Sequence, residues 1–542
     1  MIAELGLLHL FALSGLHVAF LTATVQRFFR YLRIEQEVGD GVLLVLLPLF
    51  YLFTSSPAVL FRALLAGELR IIRRYLRWRI SAIQIWSYSL IGSLLLSPAI
   101  LLTLGGQLSF ALTLAVILSK QLGMIKRGLF LSLVTFPLIL SQQYVWNGWQ
   151  TVANLLAIPF FTSAVLPATL LGYFLGSWSF LATLCNLLIR FFDTAVSLAG
   201  RLPGQFVIGA LSWPVLIGLF LLPFWLLPLR KTGKRLVIAA WFTILLGNFV
   251  LIHWPAEGEW TTFDIGQGDA AVLIEPRHRT VTMIDTGGKV RFGPQPNYRT
   301  GHPEDLRPKA IEAKKQRQEE GLARSVILPY LHARGIQHIH TLALSHQDQD
   351  HIGDSRVILE NFRVDLLVIP AGMRSLPSFQ KKIQPYLQRT RVVEATNQTT
   401  IPNCPLNIRY PFEAGLAGND DSLAWTGKIG GQSIYTAGDL DRNGEQKIWS
   451  KYPDFSPTIV KFGHHGSKTA TDPTVFAHWQ PKVGLVSAGR NSRYGHPHQE
   501  VLDVAEKEKM IVYSTQEQGM LRYSYRGNHG HFEVSIHDLA GS

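Results

Sequence analysis

The chain has 542 residues, 48% hydrophobic and 16% charged, with a formal net charge of +13 and two cysteines. That length accommodates two or three domains. Cys185 and Cys404 fall in regions of different composition, which excludes a disulfide framework and any zinc site built on cysteines.

Residues 1–254 are dominated by Leu, Ile, Val, Phe and Ala, and read as a polytopic α-helical membrane domain. A bilayer span needs about 20 mostly apolar residues. Ten candidates follow in order: 5–26, 41–55, 57–72, 82–97, 106–120, 128–143, 151–176, 178–199, 206–229 and 235–253. The first is expected to be a retained span rather than a removable signal. Basic clusters alternate with basic-poor loops: Arg27, Arg30 and Arg33; Arg70 through Arg79; Lys120, Lys126 and Arg127; Arg230, Lys231, Lys234 and Arg235. With all of these on the cytoplasmic side, the last span carries the chain outward, and the C-terminal half is expected outside the membrane. Polar groups interrupt the apolar runs at His9, Ser14, His17, Arg62, Gln107 and Asn154. Each taken alone reads as a group satisfied by neighbouring backbone; together they suggest a polar path through the bundle. Trp146 and Trp149 fall on an expected outward loop, where they anchor at the interface or stack bases.

The composition changes at "LIHWPAEGEW" (251–260), and residues 258–542 have the mixed character of a water-exposed domain. "WTTFDIGQGDAAVLIE" (260–275) and "TVTMIDTGG" (280–288) alternate like strands joined by glycine turns. The charged stretch 302–325 reads as an exposed helix or insertion, and its basic part (307–324) suits a polyanionic partner such as nucleic acid. "SVILPYLHARGI" (325–336) reads as an amphipathic helix leading into the strand "IHTLALS" (339–345).

That strand ends in "SHQDQDHIGD", which sets His346, Asp348, Asp350 and His351 in an H-x-D-x-D-H pattern. Imidazole with carboxylate suits a borderline or hard divalent ion, Zn²⁺ or Mn²⁺. A capped turn would account for the aspartates but not for two histidines at this spacing. Three further strand ends deliver donors: "IYTAGDLD" brings Asp439, "IVKFGHHGSK" brings His464, His465 and Lys468, and "SAGRNSRYGHPHQEV" brings His496 and His498.

Together these residues resemble the metallo-β-lactamase superfamily, whose motifs are matched by "MIDTGG" (283–288), "SHQDQDHIG", "GD" (438–439) and "HHGS" (464–467). The resemblance implies an α/β αββα sandwich with one or two ions at one edge of two facing sheets. It implies as metal ligands His346, Asp348, Asp350, His351, Asp439 and either His464 or His465. The histidine usual between the second motif and the bridging aspartate is missing, and Asn419, Asp420 and Asp421 are the nearest polar candidates. In the first half, "GLLHLFALSGLHVAFL" (6–21), "SSPAVLFRALLAG" (55–67), "GGQLSFALT" (105–113) and "NLLAIPF" (154–160) resemble the bacterial DNA-uptake channel family, ComEC. In that family the β-lactamase-like domain also carries N-D-x-S-L and Y-G-H-P-H, matched by "NDDSL" (419–423) and "YGHPH" (494–498), and Asp348 is the usual residue at its position. Its members carry an N-terminal OB-fold part, which is expected to lie outside this chain.

The resemblance implies a multi-pass plasma-membrane protein that passes single-stranded DNA. An extracytoplasmic metal-dependent nuclease would degrade the other strand, with Asp350, His465, Lys468, His496 and His498 as its catalytic candidates. Implied partners are double-stranded DNA outside, the lipid bilayer, a competence DNA receptor and a cytoplasmic DNA translocase. Two alternatives stay open: a permease whose metal domain only binds or gates, and a membrane-tethered phosphoesterase with no transport role.

Overall fold

The computed structural model describes residues 5–7, 10–11, 15–54, 58–289, 321–490 and 492–536. His9, Ser14 and most of the basic segment 307–324 lie outside the described residues. The chain divides into two compact units, Met1–Val250 and Leu251–Ser542.

The first unit is helical: α1 (Gly15–Tyr31), α2 (Gln36–Phe53), α3 (Ala58–Tyr75), α4 (Ala82–Leu96), α5 (Leu104–Leu118), α6 (Met124–Gln143), α7 (Gln150–Phe160), α8 (Leu166–Leu175), α9 (Ser179–Ala199), α10 (Trp213–Leu221) and α11 (Lys231–His253). Five stretches are long and apolar enough to cross a bilayer: α2, α6, the continuous run Gln150–Leu175, α9 and α11. Three more are apolar but shorter, Ala82–Leu96, Leu104–Leu118 and Trp213–Leu226. The 15 residues of α4 rise about 22 Å, less than the hydrocarbon core of about 30 Å. The two remaining candidates, 5–26 and 57–72, meet α1 and α3, whose charges set them apart: α1 carries Arg27 and Arg30, and α3 carries Arg62, Glu68, Arg70, Arg73 and Arg74. Buried Asp40 on α2 receives Arg74 at 3.1 Å and Gln26 at 3.3 Å, which ties α1, α2 and α3 together. Ser81 begins α4 with a reciprocal cap, its hydroxyl accepting from the Gln84 amide while the Gln84 side chain accepts from Ser81 N–H.

The expected loop around Trp146 and Trp149 is an antiparallel ribbon, β1 (Val145–Asn147) against β2 (Gln205–Val207), with Trp146 opposite Phe206. The Trp146 ring packs on Phe136 at 4.6 Å, and Trp149 Nε1 donates to the Pro203 carbonyl at 2.9 Å.

The second unit holds two sheets. The eight-stranded sheet contains β3 (Gly258–Thr262), β4 (Ala271–Ile274), β5 (Val281–Ile284), β6 (His338–Ala343), β7 (Arg363–Pro370), β8 (Arg391–Ala395), β15 (Leu521–Arg526) and β16 (His529–Val534), in the order β16-β15-β3-β4-β5-β6-β7-β8. The six-stranded sheet contains β9 (Leu406–Tyr410), β10 (Ala424–Ile429), β11 (Gln432–Ala437), β12 (Ile459–Lys461), β13 (Val483–Val486) and β14 (Ile511–Ser514), in the order β14-β13-β12-β11-β10-β9. The C-terminal hairpin thus completes the sheet through β3, Tyr523 pairing with Trp260.

Two-residue periodicity sorts the side chains into layers. On β4, Val272 and Ile274 enter the core beneath the helices 328–333 and 355–361, whereas Ala271 and Leu273 enter the core between the sheets. On β12 and β13, Ile459 and Leu485 join that central core, while Val460 and Val486 pack with Phe476, Trp479 and Val504 of the helices 473–479 and 499–507. Three apolar layers separated by two sheets make an αββα sandwich, the architecture the motifs implied.

Candidate metal centre

The candidate donors come from ends of strands in both sheets. Asp285 follows β5 with φ 57°, a conformation unusual for a residue other than glycine. Its carboxylate accepts from Ser345 N–H at 2.6 Å and Ser345 Oγ at 2.7 Å, and lies 2.9 Å from His351 Nδ1. This partner orients the His351 ring and leaves Nε2 facing Asp439 Oδ1 at 3.1 Å. Ser345 Oγ also lies 3.0 Å from His346 Nδ1, which turns His346 Nε2 toward Asp439 Oδ2 at 3.9 Å. Gly438 permits this approach of the two sheets, because a Cβ there would stand 2.6 Å from Ser345.

The turn Gly463–Gly466 after β12 holds His464 and His465 at φ 49° and 56°. Left-handed backbone costs about 1–2 kcal/mol per residue and persists where the surroundings over-determine it. His465 is buried; its Nδ1 bonds the Ser487 carbonyl at 3.0 Å, and its Nε2 faces Asp350 at 3.4 Å and Asp439 at 3.7 Å. His464 Nε2 also lies 3.7 Å from Asp439, but this ring is partly exposed and belongs to none of the compact donor groups.

Those groups are His346, His351 and Asp439; Asp350, His351 and His465; Asp269, Asp439 and His465; and Asp269, Asp285 and His351, each with ligand atoms within 4.8 Å of one another. The structure therefore brings together His346, Asp350, His351, Asp439 and His465. Asp348 stands at the margin, half-exposed and 3.7 Å from His346 Nε2. Asp420 and Asp421 join no group; Asp421 instead accepts from Leu416 N–H at 2.8 Å.

His496 is buried above the cage, its ring centroid 6.1 Å from that of His465 and 4.8 Å from that of His498. His498 Nδ1 accepts from Lys468 N–H at 3.1 Å, while the Lys468 side chain is exposed. Two participants escaped the motif reading. Asp269 follows the glycine turn before β4, and Lys461 ends β12; the buried ammonium of Lys461 bonds the buried Asp269 carboxylate. An acidic residue opening the apolar run "DAAVLI" and a lysine closing the apolar strand "IVK" were the available signals.

Burial would raise the Asp439 carboxyl, yet His351 and His465 hold it well below the usual range. Burial likewise opposes charge on His465, but Asp439 and Asp269 push it up to about 10, and Asp439 and Asp285 raise His351. Four carboxylates in one cage thus draw positive charge inward, which is the electrostatic condition for a cation. The donors fit a divalent ion on a second ground. His346 Nε2, His351 Nε2, His465 Nε2, Asp439 Oδ1 and Asp269 Oδ1 are buried and make no well-aligned hydrogen bond. They face other members of the cage instead, His351 Nε2 toward Asp439 Oδ1 at 3.1 Å and His465 Nδ1 toward Asp269 Oδ1 at 3.4 Å, as groups sharing a cation would. His496 behaves differently: burial and the neighbouring His465 depress it to about 4, so its imidazole is neutral at neutral pH.

The described polar residues of the helical unit have separate local partners. Arg62 Nε donates to Ser109 Oγ at 2.6 Å, and Gln107 Nε2 donates to the Leu101 carbonyl at 2.9 Å. His17 meets Phe161 edge-on at 6.5 Å, and Asn154 Nδ2 donates to the Gln150 carbonyl at 2.9 Å.

The sequence matches two family profiles, one described as competence protein over residues 1–232 and one as metallo-beta-lactamase superfamily over residues 266–490. ComE operon protein 3 of Bacillus subtilis (strain 168) is 31% identical, with 98% of this chain aligned to 69% of that protein. Competence protein ComA of Neisseria gonorrhoeae is 25% identical over 96% of this chain and 71% of its own length. Among solved structures, the metallo-beta-lactamase fold protein YhfI from Bacillus subtilis aligns at 10% identity and TM-score 0.29, covering 49% of this chain and 99% of YhfI.

Proposed function

The chain belongs to the ComEC family of competence proteins, and from that premise we propose that it takes up DNA, one strand crossing the membrane through its helical unit while its second unit hydrolyses the other strand outside. The observation that carries the hydrolytic part is the convergence of buried ligand atoms from His346, His351, His465, Asp439 and Asp269 that make no well-aligned hydrogen bond. His346, His351, Asp350, Asp439 and His465 would hold one or two divalent ions, Mn²⁺ or Zn²⁺, with His464 and Asp348 at the open margin. A bound ion supplies Lewis acidity and neutralises charge on a phosphodiester. Asp285 and Ser345 keep the His351 and His346 rings aimed into the cage, and Lys461 holds Asp269 as a fixed anion behind His465. Neutral His496, with His498 and the exposed Lys468, would supply a hydrogen bond to a phosphate oxygen or the leaving hydroxyl.

The outward position of the second unit rests on the alternation of basic clusters. A DNA receptor delivering duplex and a cytoplasmic translocase drawing in the strand are the partners such a route requires. The test uses the full chain in nanodiscs, stripped by a chelator and reloaded with Mn²⁺ or Zn²⁺, with end-labelled duplex DNA as substrate. Metal-dependent loss of label that disappears in Asp439→Ala supports hydrolysis. A folded protein that retains stoichiometric metal and leaves the duplex intact overturns it. The margin position of Asp348 and the absence of Asp420 and Asp421 from the cage favour one second reading, a permease with a non-catalytic metal domain. Uptake that persists after both His346→Ala and Asp439→Ala selects that reading.

A further inference from the structure

Among α3, α4 and α5 lies a cavity of about 430 Å³, within the range of small-ligand sites. Its charge is one-sided: Arg62, Arg70, Arg73 and Lys120 line it, and no Asp or Glu does. The three arginines form a stripe on α3 at spacings of eight and three residues, with small Ala66 between Arg62 and Arg70 leaving the room. Arg70, Arg73 and Lys120 are exposed at the rim, and Arg62 is buried about 12 Å deeper along the helix axis. The wall groups are already satisfied. Trp86 Nε1 donates to the Phe110 carbonyl, Ser89 Oγ to the Trp86 carbonyl and Thr113 Oγ1 to the Ser109 carbonyl. Among the described residues no carboxylate pairs with any of the four cations, whereas neighbouring Arg74 has Asp40. The protein therefore supplies four cations here and, among the described residues, no balancing carboxylate.

We infer that it seats the phosphate headgroup of an anionic phospholipid. This goes beyond the uptake and hydrolysis proposed above and is independent of the metal centre. The choice of a lipid over nucleic acid follows from where the cavity opens. Leu112 and Val116 line it and are themselves exposed, so its α5 side is apolar and open. Acyl chains can follow such a wall, while a nucleic-acid backbone needs water along its path. The cavity also lies at one end of the three helices, the C-terminal ends of α3 and α5 and the N-terminal end of α4, where the sequence concentrates Arg70 through Arg79. Basic pockets between helices on the cytoplasmic side are suited to acidic headgroups.

Native mass spectrometry of the full chain in detergent, titrated with phosphatidylglycerol or phosphatidylcholine of the same acyl chains, reads the preference directly. The wild type is expected to hold phosphatidylglycerol tightly and phosphatidylcholine weakly. Loss of two cations in Arg70→Ala/Arg73→Ala weakens phosphatidylglycerol about 30-fold, at about fivefold per basic residue, and Arg70→Lys/Arg73→Lys restores most of it. Lys120→Gln, one exposed position in the turn after α5, weakens it about fivefold and serves if the double variant folds poorly. Equal retention of both lipids, or retention unchanged in Lys120→Gln, overturns the inference. So does displacement of the lipid by millimolar inorganic phosphate, which would make this a free-phosphate site, or by oligothymidylate, which would make it part of the DNA route.

Discussion

The two units of this chain place their polar and apolar groups in opposite ways. Among the described residues, large exposed hydrophobic side chains crowd the helical unit, from Phe11 to Val250, and only six fall in the second: Leu251, Trp254, Leu416, Tyr494, Ile511 and Ile536. Buried ionisable side chains show the reverse. Counting Asp, Glu, His, Lys and Arg among the described residues, the helical unit has two, Asp40 and Arg62, and the sheet unit eleven, most of them in or around the cage of His346, His351, Asp439 and His465. An apolar exterior is tolerable where the solvent is hydrocarbon. A charged interior is tolerable where each charge has a partner, and in the cage His351 and His465 face Asp439, Asp269 and Asp350. The same few residue types report membrane in one half and a charged cage in the other, according to which side they face.

The sharpest break of this comparison is Asp439→Ala. Asp439 faces His346, His351, His464 and His465 at once, so its loss is expected to abolish the proposed DNA hydrolysis and to lower the metal that elemental analysis finds after reloading. Next comes a core deletion. Trp425, fully buried between the sheets, changed to Ala is expected to cost about 3–5 kcal/mol, read from chemical unfolding of the second unit. Asp285→Asn keeps the fold and loosens the orientation of His351, costing about 10–100-fold in metal affinity or turnover.

A gentler test concerns Glu445, which burial pushes up to about 8 although it accepts the Asp472 N–H at 2.7 Å. The folded state holds this proton between the unfolded pKa of 4.5 and about 8, while the unfolded state has released it. Its stabilising contribution is therefore complete below 4.5 and falls by about 1.4 kcal/mol per pH unit as pH rises through that window. Glu445→Gln is expected to flatten the slope, seen in unfolding midpoints at pH 5, 7 and 9; an unchanged slope assigns it to other groups. The smallest effect is Leu95→Ala in α4, at a position 83% exposed, expected to shift stability by less than about 0.5 kcal/mol. A large loss there would mean that this face packs on protein rather than lipid.

Much of this was legible from contiguous runs. "SHQDQDH", "GD" and "HHGS" concentrate donors at strand ends, so their chemistry can be read before their geometry. Asp269 and Lys461 were not legible, since each is a single residue whose role arises only when β4 and β12 bring the two sheets together. The choice between His464 and His465 depends on two consecutive left-handed residues, which no spacing reveals. Among the helices, length and apolarity picked out ten candidates, of which five are long and apolar enough to cross a bilayer, and the charge stripe of α3 became meaningful only beside α4 and α5.

The pairing of β15 with β3 has a consequence in time. A ribosome delivers the chain from its N-terminus at about 5–20 residues per second. The outer edge of β3 therefore stays open until residues 521–525 have emerged, although β4 and β5 follow β3 at once. An unpaired edge is a template for mispairing with other chains. Nascent chains stalled before residue 521 are expected to carry the histidine cluster of residue 346 onward on a half-built sheet, exposed to proteases and prone to aggregate. For this protein the last hairpin is the latch that ends that vulnerable interval.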